Sequence, residues 1–219
     1  MADHPVVRTV AVGRPVEIDG PAGRRTLTAY AKHPVPGPVA VLAENLEGDQ
    51  QADPENHGGP HKAVYVYADE DVAWWRHELG RQVETQMFGQ NLTTTGLDLR
   101  AAVVGEHWRI GTAEFEVAQP RIPCFKLGLF AEDPRMPRRF VAAVRPGAYL
   151  RIVTRGHVTA GDGIEVVDRP AHGVTLAEVF TIYHHERARA AALLDVPQLA
   201  PMYHRWAREW ESRTDARAG

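Results

Sequence analysis

Residues 63–67 read Ala63-Val64-Tyr65-Val66-Tyr67 and run on into Asp69-Glu70-Asp71-Val72. Val64 and Val66 oppose Tyr65 and Tyr67, the period of two expected of sheet. The pattern then changes to a helix, with Asp69 as N-cap, Val72, Trp75 and Leu79 on one face, and Gly80 at the stop. Phe115 and Val117 likewise oppose Glu114 and Glu116. Working outward, short β-like runs at residues 6–12, 26–30, 39–42, 107–110, 114–118 and 164–167 are separated by Gly, Pro and Asp. Residues 151–153 read as a further strand. Many short strands with one inserted helix describe a mainly β fold, a barrel or sandwich.

After Gly173 the composition changes. Thr175-Leu176-Ala177-Glu178 forms a capping box that opens a helix with Leu176, Val179, Phe180 and Tyr183 along one side. Residues 186–194 read as a second helix. Pro197 precedes a third that carries Leu199, Met202 or Tyr203, Trp206 and Trp210. We therefore expect a β domain over residues 1–173, with its motifs at 45–168, and a small three-helix extension over 174–219. The arginines on the outer helical faces (Arg187, Arg189, Arg205, Arg208) read as solvated surface.

The chain has 219 residues, 44% hydrophobic and 24% charged, with a formal net charge of −3. That balance describes an ordinary globular protein and gives no general footprint for a nucleic acid polymer. A single cysteine excludes an intrachain disulfide and any multi-cysteine zinc or iron–sulfur site, and fits a reducing compartment. The first fifteen residues hold no apolar signal region and no run of about 18 apolar residues occurs, so a cytoplasmic protein without a membrane span is expected.

That cysteine, Cys124, lies in Gln119-Pro120-Arg121-Ile122-Pro123-Cys124-Phe125-Lys126. Arg121 and Lys126 place positive charge near the sulfur, with no acidic side chain between Glu116 and Glu132, which favours a thiolate. The two prolines restrain the loop. Buried apolar packing remains the alternative role for a lone cysteine.

Three further polar clusters lie between the expected strands: Leu46-Glu47-Gly48-Asp49, His57-Gly58-Gly59-Pro60-His61-Lys62 and Phe88-Gly89-Gln90-Asn91-Leu92. Gly58 and Gly59 let backbone N–H groups approach an anion, and Lys62 adds a charge, but taken alone the pair reads more readily as a plain turn before a strand. His57 and His61 are not a zinc pair, because Gly58-Gly59-Pro60 breaks the helix such a pair requires. Asp49 either accepts from a ligand or closes a turn after Gly48. Asn91 is either a turn residue or an amide for a polar ligand. Walker and dinucleotide motifs are absent and serine is nearly so, which sets serine-hydrolase chemistry aside.

Taken in order and spacing, these four motifs resemble the MOSC family, the molybdenum cofactor sulfurase C-terminal domain. Gly161-Asp162-Gly163 before Ile164-Glu165-Val166 also fits, and the helical tail resembles the extension of the YiiM-type subgroup. The resemblance covers nearly the whole chain. It implies a MOSC-type β barrel that holds the molybdenum cofactor (molybdopterin), with Cys124 as thiolate ligand to the metal. It further implies His57, Gly58, Gly59, Lys62, Asp49, Gln90, Asn91, Gln119, Arg121 and Lys126 as cofactor-binding candidates. Cys124, Arg121 and Asn91 become the catalytic candidates. The sequence departs from the family pattern at Gln90, where an acidic residue is usual, and at His61, where an Asp is usual.

The activity implied is a molybdenum-dependent oxidoreductase that reduces N-hydroxylated compounds, such as hydroxylaminopurines and other N-hydroxylated bases, with electrons from a separate reductase. Two alternatives stay open. One is a sulfur carrier or transferase acting through a Cys124 persulfide, as proposed for MOSC domains joined to pyridoxal-phosphate enzymes. The other is a module that stores or hands over the cofactor without turnover.

Overall fold

The structure, a computed structural model, describes residues 4–20, 23–53 and 58–218, with side chains to residue 213. Twelve strands are described: β1 (Val6–Val12), β2 (Val16–Asp19), β3 (Arg25–Thr28), β4 (His33–Pro34), β5 (Val39–Val41), β6 (Val64–Ala68), β7 (Leu92–Thr95), β8 (His107–Ile110), β9 (Ala113–Gln119), β10 (Ala148–Thr154), β11 (Gly156–Val158) and β12 (Ile164–Asp168). Five α-helices accompany them: α1 (Asp69–Leu79), α2 (Phe125–Phe130), α3 (Met136–Ala143), α4 (Leu176–His184) and α5 (Pro201–Ala218).

Eight strands form one mixed sheet in the order β12-β8-β9-β10-β6-β7-β1-β4, with β5-β11 and β2-β3 as separate two-stranded ribbons. Only β6 and β7 pair in parallel within that sheet. A parallel pair needs a crossover, and α1 supplies it. The sheet curls into a half-barrel. Its ends are drawn together where Val7 N donates to the Asp162 carbonyl, Gly161 N to Val7 and Ile164 N to Pro5.

The alternation in β6 sorts two cores. Val64, Val66 and Ala68 face the interior of the half-barrel with Val7, Val10, Leu92, Trp108, Phe115, Val117 and Leu150. Tyr65 and Tyr67 face outward beneath α1 and α3, where they meet Trp75, Phe88, Met136 and Phe140. Both faces of the strand are therefore buried, which is why neither parity is polar. α1 ends as expected at Gly80, which adopts the left-handed conformation. Its N-cap is Ala68, one residue ahead of Asp69.

The C-terminal segment packs into the same interior. Leu176, Val179, Ile182, Leu193, Leu199 and Tyr203 belong to the half-barrel core. The Tyr203 hydroxyl donates to the Pro120 carbonyl at 3.2 Å. The expected capping box is present, with Thr175 Oγ1 accepting from Glu178 N at 3.2 Å. The expected second helix is instead a 3-10 run, Arg187–Asp195. Its buried residues Ala190 and Leu193, followed by Val196, recur every third position, the period of a 3-10 helix.

Candidate functional site

Six chain segments converge on one cavity. Its wall includes Thr28, Tyr30 and Lys32 from the stretch after β3, and Asp49 to Asp53 from the turn after β5. Lys62, Ala63 and Tyr65 come from the start of β6, and Gly89 and Asn91 from the approach to β7. Arg121, Ile122, Cys124 and Lys126 come from the cysteine loop, and Tyr149 from β10. The cavity lies where loops leave the sheet, on a rigid scaffold.

The cysteine loop is held from below. Arg121 is 5% exposed and its guanidinium stands 4.9 Å from the ring centroids of both Tyr30 and Tyr65, while one N–H donates to the Phe88 carbonyl. Such stacking suits a planar guanidinium that has no carboxylate partner among the described residues. Burial works against its charge, but the facing Tyr30, Tyr65, Tyr149 and Cys124 hold it in the protonated form. Cys124 is half-buried at the N-cap of α2. Its other side borders an apolar groove of about 590 Å³ lined by Pro123, Phe125, Gly128, Leu129, Glu132, Pro134 and Pro137.

The cavity is cationic. Lys32, Lys62, Arg121 and Lys126 stand against Asp49 and Asp53, four positive charges to two negative. Lys32 bonds Asp49 Oδ1 at 2.5 Å, and the same oxygen accepts from Gly13 N at 2.7 Å. Burial lowers the pKa of Lys32, against the pull of Asp49. Burial likewise lowers that of Lys62, with Asp53 and Cys124 opposing. Lys126 is buried and its Nζ lies 3.4 Å from the Leu27 carbonyl.

The expected site residues divide accordingly. Cys124, Arg121, Lys126, Lys62, Asp49 and Asn91 meet at the cavity. Gly58, Gly59, Gln90 and Gln119 do not line it. The Gly59 N–H donates to Gln51 Oε1 at 2.9 Å, and Gly59, at φ 82, opens the 3-10 turn Pro60–Lys62 that aims Lys62. Gln90 is buried, donating to the Thr85 carbonyl at 2.7 Å and to Thr93 Oγ1 at 3.0 Å. Gln119 Nε2 lies 3.4 Å from the His61 carbonyl. His57 falls outside the described residues.

Asn91 reaches the cavity wall with its amide already engaged. Oδ1 accepts from Tyr65 N at 3.1 Å and Nδ2 donates to the Ala11 carbonyl at 3.2 Å, tying β6 to β1. His61 accepts from Arg151 Nε at 2.6 Å. Burial first, then Arg151, lowers its pKa, so it serves as a neutral acceptor behind the site.

Sequence reasoning missed Tyr30, Lys32, Tyr65 and Tyr149. The signal for the first two was present, because Thr28, Tyr30 and Lys32 continue a period of two beyond the end of β3. Gly89, at φ 67 after the turn Thr85–Phe88, has its own reason there. A Cβ at this position would lie 3.1 Å from the Tyr30 ring and from its carbonyl.

The MOSC domain model matches residues 53–165, a span that contains β6 to β11, Asn91 and Cys124. The chain belongs to the MOSC family. The Bacillus subtilis protein YflK is 31% identical over 211 residues, covering 95% of this chain and 94% of that one. A Gibberella moniliformis protein named reductase is 31% identical over 155 residues, which is 69% of this chain but 28% of that protein. The crystal structure of YiiM from Geobacillus stearothermophilus superposes with a TM-score of 0.79 at 28% identity, covering 94% of this chain and 98% of that one. This MOSC half-barrel with its helical C-terminal segment is thus a fold shared along nearly the whole chain.

MOSC domains are associated with the molybdenum cofactor, and the residues present fit such a group. Among the described residues no trio of His, Cys, Asp or Glu could cage a bare ion, whereas a metal that brings its own dithiolene ligands asks the protein for one soft donor, which Cys124 can give. The excess positive charge suits the phosphate and dithiolene that such a cofactor carries. Among the described residues no helix is long and apolar enough to cross a membrane.

Proposed function

We propose that this MOSC protein binds the molybdenum cofactor and reduces N-hydroxylated compounds, hydroxylaminopurines and related bases among them. The observation that carries the reading is the place of Cys124, on the partition between a cationic cavity and an open apolar groove. In this reading Lys32, Lys62, Arg121 and Lys126 hold the anionic cofactor, and Arg121, fixed between two tyrosines, sets the height of the loop that carries the sulfur. Cys124 offers its thiolate to the metal. Bound there, the cofactor supplies two-electron oxygen-transfer chemistry. Pro123, Phe125 and Leu129 shape the groove from which a planar substrate approaches.

Reduction of an N–OH group to the amine consumes two electrons and two protons and releases water. The electrons come from a separate reductase. The naming of the Gibberella relative as a reductase agrees with this class of chemistry. The test is turnover of hydroxylaminopurine by protein purified from a host that makes the cofactor, with reduced viologen as donor. Formation of the aminopurine by the wild type, and its loss in Cys124→Ala, is the expected result. No product from cofactor-loaded wild type contradicts it.

A sulfur-carrier role is favoured by one feature, the open groove beside Cys124, through which a donor enzyme could reach the thiol. A persulfide mass increment on Cys124 in protein free of molybdenum would mark that role.

A further inference from the structure

Glu132 occupies a backbone position that ordinarily belongs to glycine. It follows Ala131, the C-cap of α2. Its N–H donates to the Leu129 carbonyl at 3.1 Å, and that of Asp133 to the Gly128 carbonyl at 3.1 Å. This pair of bonds is the Schellman ending of a helix, whose left-handed residue is usually glycine because a Cβ is strained there. Glu132 takes that conformation at φ 51, and among the described non-glycine residues only Val144 also has a positive φ. Strain kept at a residue with a long polar side chain points to a use for that side chain.

Its surroundings narrow the use. Glu132 is exposed and is the one charged residue lining the groove beside Cys124, among Pro123, Phe125, Leu129, Pro134 and Pro137. The nearby Arg135 and Arg139 are engaged by Asp133, at 3.0 and 3.6 Å. The Glu132 carboxylate itself makes no ion pair or hydrogen bond among the described residues. Apolar walls take the faces of a flat ring, and a single carboxylate among them fixes orientation by accepting from an N–H group.

We propose that Glu132 is a specificity-determining residue, whose carboxylate accepts a hydrogen bond from a ring amino group and so selects amino-substituted bases among N-hydroxylated substrates. The inference rests on the reductase reading for placing the substrate in this groove. Cys124 and Glu132 line the same groove, so a base that turns its N–OH group toward the sulfur leaves a second amino group for the carboxylate to read.

The experiment is calorimetric titration of two ligands, 2,6-diaminopurine and unsubstituted purine, into protein purified from a cofactor-producing host. Wild type is compared with Glu132→Gln, which keeps the shape and removes the charge, and with Glu132→Gly, which also relieves the backbone. The wild type is expected to bind diaminopurine about ten-fold more tightly than purine, as one charge-assisted hydrogen bond provides. Both variants are expected to lose that preference while purine affinity stays the same and the Tm of Glu132→Gly is not lowered, a combination that a purely structural role would not give. An undiminished preference in the variants, or a wild type that binds both purines alike or neither, overturns the proposal. Turnover of hydroxylaminopurine is measured separately, so the two readings fail separately: selective binding without turnover removes the reductase and keeps the role of Glu132, and turnover without selective binding does the reverse.

Discussion

Asn91 lies on the cavity wall, yet both ends of its amide are engaged with backbone of β6 and β1. Replacing it by alanine leaves the Tyr65 N–H and the Ala11 carbonyl buried without partners, so Asn91→Ala lowers stability by about 2 kcal/mol, read as a lower urea midpoint at constant m-value. A midpoint equal to that of the wild type would mean that the amide is free for a ligand. The sequence left its role open between turn and ligand because both need the same residue type. Only the strand pairing, β6 beside β7 and β7 beside β1, shows which backbone groups it can reach. Tyr30 and Lys32 were harder still: they belong to no motif, and their importance comes from Phe130 and Asp49, which lie far off in the chain.

Strands with clear alternation were legible nearly to the residue, as at β8 and β9, because a half-buried pleat writes its period into the sequence. β2, β4, β7 and β11 were not, being short or, in β7, a run of polar threonines buried by pairing on both sides. Helices α2 and α3 were hidden by Gly128, Pro134 and Pro137, which read as breakers. Pro137 in fact occupies the first turn of α3, where its missing N–H costs nothing. Helix α4 was legible from its capping box, and it carries a pH dependence. His184 lies against Phe180 at 4.4 Å, and burial, then His185 and Arg187, lower its pKa from 6.5 to about 4. The unfolded chain therefore binds this proton first, so the stabilisation is present above pH 6.5 and is lost as pH falls toward 4. The Tm should drop across that window, and His184→Phe should make the drop shallower. An identical pH profile in the variant would show that this imidazole is already solvated.

Across the whole molecule, one strand parity builds the interior of the half-barrel and the other builds the aromatic layer that supports the cavity. Tyr65 joins the two, stacking under Arg121 on a strand whose next residue, Val66, faces the main core. The C-terminal helices cover that core, and Tyr203 anchors them to Pro120 at the head of the cysteine loop, so the segment read from sequence as an extension reaches the site itself. The four motifs were enough to name the family and to bring Cys124, Arg121, Lys126, Lys62, Asp49 and Asn91 to one place. They could not foretell that Gln90, Gln119 and Gly59 serve the scaffold around it, since that depends on three-dimensional neighbours. The central claim is that Cys124 holds the metal of a bound cofactor. Its most direct test is molybdenum and pterin content of protein purified anaerobically from a cofactor-producing host, wild type beside Cys124→Ala. One molybdenum and one pterin per chain in the wild type, with metal lost or labile in the variant, is the predicted result; a wild type that carries neither would contradict the account.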